Sequence, residues 1–170
     1  QYFVGKGKKV IYTAPIKALS NTKLYDLRNK YPEISFGIIT GDITDNPEAD
    51  VLIMTTEILP NTIMNRKLRT NNENIKLDFE IDFENDLAAV IFDEVHYIND
   101  PERGNVWEQA ILMLPPDVQL IMLSATIDKP DIFANWIEKE KRQQSIELNS
   151  IPKQVYLTTT EHRVVPLTHY

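Results

Sequence analysis

The sequence of 170 residues contains no cysteine. A disulfide framework and a thiolate metal centre are therefore excluded, and nothing supports an oxidising compartment. Histidine is nearly as scarce: only His96, His162 and His169 are present, which argues against a zinc centre. No apolar run approaches the roughly 20 residues of a membrane span, and residues 1–12 lack the pattern of a signal peptide. A phosphate loop of the form G-x-x-x-x-G-K-[ST] is missing as well. Gly5-Lys6-Gly7-Lys8-Lys9 precedes a strand instead of following one, and no Ser or Thr follows its lysines. It reads as a solvated turn. Basic charge is short too, with 18 Lys and Arg against 25 Asp and Glu, a net −7, which taken alone argues against a nucleic-acid partner. Most of that excess is local, however. Residues 73–86 hold Glu73, Asp78, Glu80, Asp82, Glu84 and Asp86 against Lys76 alone, a local −5 that leaves −2 for the rest. The charge leaves the partner open.

What is present is an ordinary globular composition, 42% hydrophobic and 25% charged, at a length that allows one compact domain. Apolar runs alternate with amphipathic stretches. Lys9–Tyr12 reads as a buried strand ending at Thr13-Ala14-Pro15. Residues 16–31 follow as a helix with Ile16, Leu19, Leu24, Leu27 and Tyr31 on one arc, which also takes in Ser20 and Lys23. Ile34–Ile39 and Val51–Met54 are further strands, ending at Thr40-Gly41-Asp42 and Thr55-Thr56-Glu57, and a helix spans about residues 57–67.

In the polar stretch 69–84, Leu77, Phe79, Ile81 and Phe83 alternate with Asp78, Glu80 and Asp82, the pattern of an exposed hairpin arm. Leu87–Phe92 is the most apolar strand and runs directly into Asp93-Glu94-Val95-His96. A helix near 103–114 turns Val106, Trp107, Ala110, Ile111 and Leu114 inward until Pro115-Pro116 stops it. Val118–Leu123 is a strand ending in Ser124-Ala125-Thr126. Asp131–Lys141 is helical, and Gln144–Leu148 and Gln154–Leu157 read as short strands. Near-continuous apolar strands alternating with helices imply an α/β, doubly wound, mostly parallel sheet covered on both faces.

Several strands end in small, hydroxylic or acidic residues: TAP, TGD, TTE, DEVH and SAT. In an open α/β sheet, ligands bind beyond the carboxyl ends of the strands. Any one cluster taken alone reads better as a strand-to-helix cap, but five on one edge are hard to explain by capping alone. Asp93-Glu94 suits a magnesium–phosphate site, because Mg²⁺ takes a carboxylate together with waters and phosphate oxygens. The adjacent Glu can polarise an attacking water. The competing reading is an acid pair complementing a helix dipole. His96 by itself reads as a structural imidazole, and Ser124 and Thr126 as caps.

DEVH and SAT at two strand ends resemble a superfamily-2 DExH-box helicase. TAPIKALSNTK (13–23), GDITDNPEADVLIMTTEIL (41–59), FDEVHYINDPERGNVWEQAILMLP (92–115) and LSATI (123–127) together resemble the superkiller-type RNA helicases associated with the RNA exosome. The resemblance implies a RecA-like domain, N-terminally truncated, over residues 1–160 with an acidic insertion at 69–86. Residues 161–170 would be a connector towards a second RecA-like domain. It implies ATP and Mg²⁺ as cofactors, with Asp93 holding Mg²⁺–ATP through water and Glu94 activating the hydrolytic water. His96 would couple that site to Ser124 and Thr126. Pro15, Lys17, Gly41, Asp42, Thr55, Thr56 and Glu57 match the motifs that hold the nucleic-acid backbone.

The same resemblance implies RNA-stimulated NTP hydrolysis coupled to 3′–5′ unwinding of RNA, with single-stranded RNA favoured over DNA. The partners it implies are the rest of a helicase chain and an exosome-type complex, with no membrane, in an intracellular and cytoplasmic more than nuclear setting. It places a phosphate loop before Gln1 and the second domain after Tyr170, so the 170 residues alone are expected to be inactive. The other readings are a related DNA helicase and a non-catalytic RNA- or protein-binding remnant.

Overall fold

A computed structural model describes residues 1–69 and 81–160. Six strands form one sheet: β1 (Lys9–Ala14), β2 (Phe36–Ile39), β3 (Thr44–Asp45), β4 (Val51–Thr55), β5 (Leu87–Phe92) and β6 (Gln119–Met122). Their order across the sheet is β3-β2-β4-β1-β5-β6. Every pairing is parallel except the short β2–β3 hairpin. Four helices connect or follow them: α1 (Lys17–Lys30), α2 (Ile58–Arg69), α3 (Gly104–Met113) and α4 (Pro130–Glu147).

The strands β1, β2, β4 and β5 are largely apolar because they are covered on both faces, and their side chains alternate between two cores. Ile11, Leu52, Met54, Val90 and Phe92 join the larger core with Trp107, Ala110 and Ile111 of α3. Tyr12, Ala14, Ile53 and Ile91 face the other way, against Leu24 and Leu27 of α1. Full burial of a side chain such as Ile11 or Leu52 contributes about 1.5–3 kcal/mol. Ser20 is the buried residue of α1, its hydroxyl donating to the Ile16 carbonyl at 3.3 Å, whereas Ile16 itself is 41% exposed.

Several expectations need correction. Gln144–Leu148 is not a strand. α4 continues through Glu147, held by Ser145 Oγ donating to the Lys141 carbonyl at 2.9 Å and by Gln143 Nε2 donating to Glu147 at 2.9 Å. Gln154–Leu157 forms no strand either; that stretch lies open, with Tyr156 largely exposed. The exposed arm expected over 77–83 fails where it is described. Ile81 and Phe83 are buried in the larger core, and Arg66 holds the Ile81 carbonyl. Leu77 and Phe79, and the connector expected at 161–170, lie outside the described residues. Val106 is half-buried, not fully buried.

The edge strand β3 has no counterpart in the sequence pattern, being two exposed residues. It closes on β2 because Gly37 lacks a side chain: a Cβ there would lie 2.1 Å from the Asn46 carbonyl oxygen. Gly5-Lys6-Gly7 is a turn, Val4–Lys6 being a short 3-10 helix that ends at Gly7 in the left-handed region.

Candidate functional site

The helix following β1 leads towards β2 on one face of the sheet, while the segment following β5 leads towards β6 on the other. The chain therefore diverges between β1 and β5, and a crevice beyond the carboxyl ends is expected there. Two clusters of side chains flank that point.

The first stands at the ends of β5 and β6. The Asp93 amide continues the sheet by donating to Thr13 O at 2.9 Å, and the Asp93 side chain turns back so that Oδ1 accepts the Glu94 N–H at 3.1 Å. Its other oxygen, Oδ2, accepts the phenol of Tyr12. Burial first, then this bond and the charges of Asp93 and Glu94, push the Tyr12 hydroxyl well above the usual tyrosine range. The phenol therefore remains a donor. Glu94 adopts the left-handed region with φ 53°, which ends the strand sharply and starts the 3-10 turn Val95–Asn99.

In that turn His96 Nδ1 lies 3.3 Å from Glu94 Oε2 and 3.4 Å from Ser124 Oγ. Ser124 Oγ also donates to the Thr126 carbonyl at 3.3 Å. The turn is tied to β6 through Val95 N–H donating to Leu123 O at 2.9 Å. Asp93, Glu94, His96 and Ser124 are thus brought together, and Thr126 joins through its backbone.

Among the described residues no group of three or more His, Cys, Asp or Glu is placed to hold a metal ion. A carboxylate has about four lone-pair sites, and Asp93 uses one on each oxygen. The donor set fits a Mg²⁺ ion carried by phosphate oxygens and water with Asp93 as its protein contact, and does not fit an all-protein cage.

The second cluster lies beyond β1, β2 and β4. Pro15, Ile16, Lys17, Gly41, Thr55, Glu57, Ile58 and Arg103 line an open pocket of about 480 Å³. Lys17 pairs with Asp42. Thr56 is fully buried, and its N–H and hydroxyl both go to the Ala14 carbonyl, at 3.1 and 3.3 Å. It pins the end of β4 to the end of β1 and stands behind the pocket wall. Glu57 is ion-paired with Arg103. Tyr12 and Arg103 are the two residues for which the sequence suggested no part. Tyr12 is the polar-tipped member of an apolar strand. Arg103 sits within ERG-x-VWE, but its side-chain hydrogen-bond partners, Pro15 and Glu57, lie far away in the chain.

Residues 3–133 match the family model of the DEAD/DEAH box helicase. The chain is 45% identical over 162 residues to Superkiller complex protein 2 of Mus musculus, covering 95% of this chain and 11% of the relative. It is 43% identical over 159 residues to the Antiviral helicase SKI2 of Saccharomyces cerevisiae, covering 94% of this chain and 10% of that one. The chain therefore spans about a tenth of the length of these curated relatives. Its fold is similar to a solved structure of S. cerevisiae Dbp5 bound to RNA and ADP BeF3, with a TM-score of 0.53 and 20% identity over 89% of this chain and 34% of that one. The RecA-like sheet, its DEVH turn and SAT loop side by side on one edge, and the family match across most of the chain agree: this chain belongs to the DEAD/DEAH box helicase family.

Proposed function

We propose that these residues are the part of an ATP-dependent RNA helicase in which nucleotide hydrolysis meets the nucleic-acid strand. The observation that carries this is the adjacency of the two clusters on one sheet edge, either side of the β1–β5 divergence. When bound, Mg²⁺–ATP supplies the electrophilic phosphorus and the charge neutralisation. Asp93, oriented by the Tyr12 phenol and the Glu94 N–H, is the carboxylate that would hold the metal ion. Glu94 is the base that orients and takes a proton from the attacking water. His96, between Glu94 and Ser124, senses the state of that carboxylate and passes it to the loop after β6.

The wall formed by Pro15, Lys17, Gly41 and Thr55 would receive the sugar–phosphate backbone, a contact that grips without reading sequence. The motif resemblance favours RNA over DNA, 3′–5′ movement, a second RecA-like domain as working partner and an exosome-type complex in the cytoplasm.

The test is ATP turnover by the natural polypeptide that contains these residues, with and without single-stranded RNA or DNA. Glu94→Gln should lower kcat by at least about 10²-fold while RNA binding persists, and RNA should stimulate more than DNA. Unchanged turnover in Glu94→Gln would remove the mechanism. Stimulation by DNA alone would replace the substrate.

A further inference from the structure

The pocket wall contains a cation that neither helix capping nor core packing accounts for. Arg103 immediately precedes α3, and its Nη2 donates to the Pro15 carbonyl at 2.6 Å and to the Glu57 carboxylate. Its guanidinium lies 5.9 Å from the ring centre of Trp107, which is fully buried. One side chain thus ties together the segments that follow three strands: Pro15 after β1, Glu57 after β4 and Arg103 itself after β5.

Its backbone is fixed just as firmly. Asp100 Oδ1 accepts the N–H groups of Glu102 and Arg103 at 2.9 and 3.0 Å, and Gly104 N–H donates to Asp100 O at 2.8 Å. Gly104 packs so closely on the His96-bearing turn that a Cβ would lie 2.2 Å from Ile98 O. A guanidinium held at both ends loses little freedom when the pocket is used. Glu57 is harder to place as a backbone contact, since a carboxylate repels phosphate. As the partner of Arg103 it has a sufficient reason to be there.

We infer that Arg103 is a positioning residue for the nucleic-acid pocket, holding the Pro15 segment and the Glu57 segment in one wall, and that Glu57 acts through Arg103 without touching the strand. This rests on the helicase reading above and names how its nucleic-acid side is assembled.

The test is RNA-stimulated ATP hydrolysis by the full-length protein, using a single-stranded oligouridylate. Arg103→Met keeps an aliphatic stem over Trp107 and removes the donors. The RNA concentration for half-maximal stimulation should rise about tenfold, with kcat at saturating RNA within about twofold and the KM for ATP unchanged. Arg103→Lys, whose single ammonium reaches one acceptor at a time, should fall between wild type and Arg103→Met. Arg103→Met combined with Glu57→Gln should be no worse than Arg103→Met alone. An unchanged RNA requirement in Arg103→Met, a fall confined to kcat, or a Glu57→Gln effect that adds in full would each overturn the inference. Should Arg103→Met fail to fold, Arg103→Lys decides, and an unchanged RNA requirement in it overturns the inference equally. A wild-type protein that RNA does not stimulate removes the helicase reading and this one together. A stimulated wild type with an unaffected Arg103→Met removes this one alone.

Discussion

Lys141 offers the sharpest test of how the core is held. Its residue is 7% exposed, and its ammonium donates to the Leu114 carbonyl at 2.8 Å and to Gln144 Oε1 at 2.9 Å. Leu114 directly follows α3, so the ammonium satisfies a carbonyl at that helix end while α4 packs beside it. No carboxylate pairs with it among the described residues, and burial alone pushes it down from 10.5 to about 8. Because the folded value lies below the unfolded one, the unfolded chain binds more protons between the two, and stability rises with pH across that window. Below about pH 8 the folded protein carries the whole penalty, on the order of 3 kcal/mol for a displacement of that size.

Lys141→Met removes the penalty but leaves the Leu114 carbonyl without its donor, which costs about 1–3 kcal/mol. Near pH 7 the two effects nearly cancel, and the variant should melt close to wild type. Near pH 10 the wild type has shed most of its penalty, so the variant should fall behind by roughly the lost hydrogen bond. The difference between the two proteins should therefore swing by about 2.5 kcal/mol between those pH values, or about 5–10 °C in Tm. Measuring the pair at each pH cancels the other titrating groups, including Tyr12, whose raised value works in the opposite direction above pH 10. A constant Tm difference across the range, or a Lys141 13Cε titration centred near 10.5, would refute the argument.

Two further outcomes are expected. Gly104→Ala places a methyl 2.2 Å from the Ile98 carbonyl oxygen, a backbone atom of the turn that carries His96, and should cost about 1–3 kcal/mol. A circular-dichroism melt unchanged within a degree would show that the turn yields freely. Asp82 accepts from the Asn85 side chain at 2.9 Å and from the N–H groups of Asn85 and Glu84 at 3.1 and 3.0 Å, with Arg66 adding to them, and these donors hold it down to about 2. The stability it contributes is fully present above the ordinary carboxylate range and is lost progressively as pH falls from that range through about 2. A carboxyl-carbon titration with its midpoint near 4 would contradict this.

The central strands were readable because burial on both faces leaves them almost wholly apolar, as in Leu87–Phe92. The strand ends were readable for a related reason: Asp93, Glu94, His96, Ser124, Thr55 and Gly41 are the points where the apolar run stops. Local alternation misled where tertiary packing decides. Ser145, Ile146 and Glu147 alternate like a strand yet complete a helix, because Lys141 and Gln144 reach across to the end of α3. Ile81 and Phe83 alternate with acids yet are buried beneath Arg66. The two unanticipated site residues act over separations of 81 and 88 positions, Tyr12 to Asp93 and Arg103 to Pro15. No local pattern encodes such a pair; only the strand order β4-β1-β5 brings its members together.

The same topology reconciles a net charge of −7 with the proposed grip on a polyanion. Asp82, Glu84 and Asp86, the described part of the acidic stretch, precede β5, whereas Asp93 and the pocket residues follow the strands. Six residues of extended chain separate those two ends of the sheet by about 20 Å, more than twice the roughly 8 Å over which exposed charges act at physiological salt. At the site itself the cations are already matched, Lys17 with Asp42 and Arg103 with Glu57, so the pocket is close to neutral. A phosphate entering it would meet the start of α1, whose first turn carries no acid and whose Lys17 lines the pocket. Attraction of that kind depends on shape and dipoles more than on net charge, so an acidic protein loses nothing by using it.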